Sequence, residues 1–100
     1  MNFKIKLSTD VSQNSRDELV NTLKQDAQVQ ATRAQAKDLG WAEMLFVVAA
    51  GVQTIDILWN WFQAARAKNK RVDAVVETDD GREIHLQDVT LDELKRLLDF

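Results

Sequence analysis

The stretch Trp41–Phe62, WAEMLFVVAAGVQTIDILWNWF, holds all three tryptophans and two of the four phenylalanines of a 100-residue chain. Glu43 and Asp56 are its only ionised side chains, and the basic tail ARAKNKR follows it. No proline interrupts it, so the spacing allows a helix from about Gly40 to Lys68. At ~1.5 Å per residue such a helix is ~42 Å long, whereas a domain of this length has a radius of gyration of ~13 Å. Either the segment breaks near Gly51 into a helix pair, or part of its surface serves something other than the chain's own core.

Helical periodicity places Trp41, Met44, Leu45, Val48, Val52, Ile55, Trp59 and Phe62 on one face, wide enough to pack on a sheet. Phe46, Val47, Ala50, Ile57 and Trp61 fall on the opposite side, with Gln53, Asp56 and Asn60 as a polar stripe between. A helix apolar nearly all round is buried on several sides, and a domain this small can hardly surround it. The second face is therefore the predicted partner interface, with Trp61 its anchor and Trp59 in the core. Asp56 is expected at the edge of the buried surface, hydrogen-bonded or facing a cation of a neighbouring chain.

Around this segment the chain reads as a small α/β (α+β) domain spanning residues 1–100. Asn2–Leu7 alternates apolar and polar residues and predicts a half-buried strand. Ser15 and Glu18 have capping-box spacing ahead of a short surface helix running from Arg16 to about Gln25. Ala27–Ala34 predicts a second strand, and Gln35–Leu39 a connection. Arg71–Thr78 and Arg82–Gln87 flank Asp79-Asp80-Gly81, a strong hairpin signal because the turn needs positive φ. Thr90 and Glu93 form a second capping box, opening a helix with the stripe Leu91, Leu94, Leu97 and Leu98. The predicted order is β-α-β-α-β-β-α, a four-stranded sheet with helices packed on it.

Composition narrows the functional classes. A net charge of −3 and a pI near 5.0 argue against a general nucleic-acid binder. The absence of cysteine removes disulfides, thiol catalysis and cysteine metal sites, and suits a reducing interior. MNFKIKLSTD has no apolar signal-peptide core, so a cytoplasmic protein is expected. The apolar stretch approaches the ~20 residues that span a bilayer. A central Asp56 would cost about 2.5–3.5 kcal/mol there, which favours a buried segment over membrane insertion.

Chemistry is sparse. His85, with Glu83 and Asp88 nearby in sequence, lacks the convergent groups of a catalytic or metal site. Ser12 and Ser15 have neither a nearby His nor a strained glycine-flanked turn. The three glycines form no phosphate-cradling loop. No catalytic, metal or cofactor residue is expected, and the chain reads as a non-enzyme. Arg66, Lys68, Lys70 and Arg71 could contact an anion, but cations at a helix C-terminus are favoured by the macrodipole without any ligand.

The order of these pieces resembles the effector-associated constant component proteins of bacterial conflict systems. The likeness runs through NFKIKL, SRDELVNTLKQD, LGWAEMLFVVAAGVQTIDILWNWFQAARAK, RVDAVVETDDGREIHLQ and TLDELKRLL, and so covers nearly the whole chain. The family looks richer in glycine and small residues in mid-segment, where only Ala49-Ala50-Gly51 stand here. The resemblance implies a non-enzymatic adaptor or regulatory subunit in anti-invader defence. It would accompany a caspase-like or trypsin-like peptidase or an NTPase, as a homo-oligomer or hetero-complex. Two other readings are a membrane-active protein inserting 41–62 on triggering and a toxin-neutralising binding protein.

Overall fold

Phe3, Ile5 and Leu7 are buried while Lys4 and Lys6 stay partly exposed on the other face, the alternation their sequence prescribes for strand β1 (Phe3–Ser8). The computed structural model describes residues 2–8, 10–33 and 41–99; the connection expected at 35–39, and Gly40, lie outside the described residues. After β1 come α1 (Gln13–Leu23), β2 (Gln28–Arg33), β3 (Trp41–Val48) and α2 (Val52–Lys68). β4 (Ala74–Thr78), β5 (Glu83–His85), a 3-10 turn at Leu86–Asp88 and α3 (Leu91–Leu97) complete the chain.

The described residues form one sheet of five strands in the order β2-β3-β1-β4-β5, every neighbouring pair antiparallel. The prediction of four strands is thus corrected by one. Since β3 lies antiparallel between β1 and β2, those two run parallel, with α1 as their crossover. β1 likewise lies between the parallel strands β3 and β4, joined by α2. Two interleaved split β-α-β units of this kind are the ferredoxin-like arrangement, here extended by β5 and α3.

The missed strand is β3. Trp41–Lys68 is neither one helix nor a helix pair: its first eight residues are strand and its last seventeen are helix. An apolar run of this length fits a buried helix and a strand covered on both faces equally well by periodicity. Size separates them. A ~42 Å helix would overrun a molecule measuring 30 × 26 × 25 Å, whereas seventeen residues of α2 span ~25 Å. Ala49 marks the change of structure with φ of 61°, its N–H donating to Asn2 Oδ1 at 3.1 Å. Gly51 then caps α2 in an extended conformation, and Thr54 Oγ1 accepts its N–H at 3.1 Å.

The three helices of the described residues cover the same sheet face. Leu19 and Leu23 of α1, Ile55, Leu58 and Phe62 of α2, and Leu94 of α3 share one core with Ile5, Leu7, Leu45, Val47 and Val76. Burying each such side chain contributes about 1.5–3 kcal/mol. Helix α1 starts one turn before the predicted box: Ser12 is the N-cap, accepting from Ser15 N at 3.2 Å, so Ser15 and Glu18 lie within the helix. The second box forms as predicted, with Thr90 Oγ1 accepting from Glu93 N at 3.2 Å and Glu93 Oε1 from Thr90 N at 3.3 Å. The hairpin turn also forms as predicted, with Gly81 at φ of 86°, but its strands are shorter than the predicted Arg71–Thr78 and Arg82–Gln87, since β4 starts at Ala74 and β5 gives way to the 3-10 turn at Leu86.

Candidate interaction surface

Strand alternation sends every second residue to the face that no helix of the described residues covers. There, from one edge to the other, stand Gln28 and Gln30, then Met44, Phe46 and Val48, then Lys4 and Lys6, then Val75 and Glu77, and last Glu83 and His85. Met44 and Phe46 are half-buried, and Val48 is 41% exposed. The Lys4 ammonium lies over the Phe46 ring, 5.3 Å from its centroid, a cation–π contact between cross-strand neighbours.

The acidic half of this face is internally paired. Lys6 Nζ donates to Glu83 Oε1 at 3.2 Å and stands 3.6 Å from Glu77 Oε2, spanning β1, β4 and β5. Desolvation pulls the Lys6 ammonium down, but Glu83 and Glu77 together outweigh it and hold it above the ordinary lysine value. Val75, which faces both Lys6 and His85 across the ladders, is fully covered. His85 Nδ1 lies 3.3 Å from Asp73 Oδ2, so its partner is Asp73 rather than Glu83 or Asp88. Among the described residues no group of three or more His, Cys, Asp or Glu side chains is placed to hold a metal ion.

The five residues predicted as a partner interface do not share a face. Phe46 and Val47 are neighbours on a strand and point to opposite sides of the sheet. Val47, Ala50 and Trp61 are 1%, 5% and 9% exposed and sit in this chain's own core. The Trp61 indole donates to Ser15 O of α1 at 2.8 Å, so α1 supplies the cover that a partner was expected to provide. Ile57 is half-buried beside Trp61, in a groove of about 320 Å³ between α1 and α2. Trp59 is the less buried tryptophan of α2, its ring 6.3 Å from Phe62. Asp56 faces a cation, but one of its own chain: Lys95 of α3, at 3.0 Å.

The basic residues gather at the exit of α2. Arg66 and Lys68 occupy its last turn, where the helix dipole favours cations; Lys70 and Arg71 follow in the turn. Arg66 lies over the Phe62 ring at 5.8 Å and donates to Lys70 O at 3.4 Å, while Lys68, Lys70 and Arg71 are exposed. Among the described residues no helix is long and apolar enough to cross a membrane, and the stretch 41–62, whose insertion was the alternative reading, is split between β3 and α2.

The face around Met44 and Phe46 escaped the helical reading, although Met44, Phe46 and Val48 alternate with Leu45 and Val47 at strand period. The Phe-Val-Val run was the available signal, since aromatic and β-branched residues suit strands.

Fold and surface together define a split β-α-β sheet protein, helix-backed on one face, with no helix among the described residues on the other. Scans against protein-family models, curated proteins and solved structures found no match.

Proposed function

We propose that this protein is a non-enzymatic adaptor or regulatory subunit of a bacterial anti-invader defence system, holding a protein effector of the peptidase or NTPase class. The sequence resemblance suggests the system, and the sheet face that no helix of the described residues covers offers a surface. The observation that carries the reading is the pairing of Phe46 with Lys4, and of its neighbour Met44 with Lys6, on that face. Met44 and Phe46 are half-buried and Val48 is exposed, and an apolar strip rimmed by charge is a form that protein contact sites take. Aromatic residues at such sites often cost 2 kcal/mol or more of binding when truncated. Of the predicted interface residues, Phe46 is the one on this strip. The fold itself is neutral on the question, because one architecture hosts many functions.

The test is co-expression with the peptidase or NTPase encoded beside the gene, followed by size-exclusion chromatography. Co-elution is expected for the wild type, and its loss for Phe46→Glu with an unchanged circular dichroism spectrum. Co-elution that survives Phe46→Glu would remove this face from the reading.

A further inference from the structure

The two edges of the sheet differ in how they are protected. At one edge β5 is only three residues long and runs directly into the 3-10 turn, and its Glu83 is tied to Lys6. At the other edge β2 is six residues long and pairs with β3 in unbroken register from Gln28↔Val48 to Arg33↔Glu43. Among the described residues its outer side has no strand partner. Proteins guard such an edge with charge, proline, a bulge or shortness, because it templates another strand. β2 has none of these between Gln28 and Thr32.

We propose that β2 is a self-association edge, on which a second copy of this chain pairs antiparallel, giving one continuous sheet with five strands from each copy. The sequence of β2 is self-complementary for this. With Gln30 on the two-fold axis, Gln30 meets Gln30 of the second copy, Val29 falls opposite Ala31, and Gln28 opposite Thr32. The register keeps core-face positions with core-face positions, as antiparallel pairing requires. No charged residue lies between positions 28 and 32, so no like charges meet within that segment; Arg33, the last residue of β2, falls outside it, opposite Ala27. The pairing needs no effector and stands apart from the role of Phe46.

Gln30 is exposed, so charge placed there tests the axis without entering the core. Sedimentation of the wild type from about 1 µM to about 1 mM, the range in which modest interfaces populate, should show a mass rising from 11.4 kDa towards twice that value. Gln30→Lys and Gln30→Glu should each stay monomeric with unaltered circular dichroism and melting. Mixing the two variants should restore the dimer, since opposite charges then meet on the axis. A wild type monomeric throughout overturns the proposal, as do variants that keep the dimer mass or a mixture that stays monomeric.

Discussion

Trp61 shows how a single polar atom assigns a side chain. Helical spacing sets it opposite Trp59 and outward, yet it is the more buried of the two, because its indole N–H reaches Ser15 O at the base of α1. A buried indole nitrogen needs a partner, and α1 provides one within the same chain. Trp61→Phe removes that donor and also shrinks the ring, so a packing loss adds to the lost hydrogen bond. It should lower the unfolding free energy by at least about 1–2 kcal/mol, measured by urea denaturation. The sequence could not disclose this contact, since Ser15 and Trp61 are forty-six positions apart. The Thr90–Glu93 box was legible because both partners lie within one turn.

At the scale of elements, the decisive event is the change from β3 to α2 across Ala49-Ala50-Gly51. Ala49 takes a left-handed conformation there, which costs an L residue with a Cβ about 1–2 kcal/mol. Replacement by glycine relieves that strain but adds unfolded-state entropy of about 0.4–1 kcal/mol. Ala49→Gly should therefore raise stability by up to about 1 kcal/mol, read as a shift of the denaturation midpoint, and Ala49→Val should lower it. A loss of stability in Ala49→Gly would mean that the turn is not held as described. The same break explains the misread segment. Gly51 was visible as a breaker, but only the space beside β1 shows that the residues before it form a strand.

Across the whole molecule, Lys6 joins the first strand to the last two through Glu77 and Glu83. Its ammonium is held above the ordinary value of 10.5. A group raised in the folded state contributes fully below its unfolded pKa and loses that contribution as pH rises through the folded one. The stability difference between wild type and Lys6→Met should therefore be level from neutral pH to about pH 9.5, then shrink above about pH 10.5. Denaturation series at stepped pH measure it. A difference that grows with pH would contradict the pairing.

By itself the sequence determined the features whose causes are local. These are the alternation of β1, the glycine turn between β4 and β5, the cap of α3 and the burial of Leu94 and Leu98, whereas Leu97 of the same predicted stripe is 39% exposed. It also marked the region of β2 and the basic exit of α2. Tertiary structure decided the rest, because an apolar residue carries no instruction about which neighbour will cover it. Leu45 and Val47 are strand residues because β1 and β2 flank them, and Trp61 is core because α1 lies over it. Phe46 is at the surface because no helix of the described chain reaches that side of the sheet.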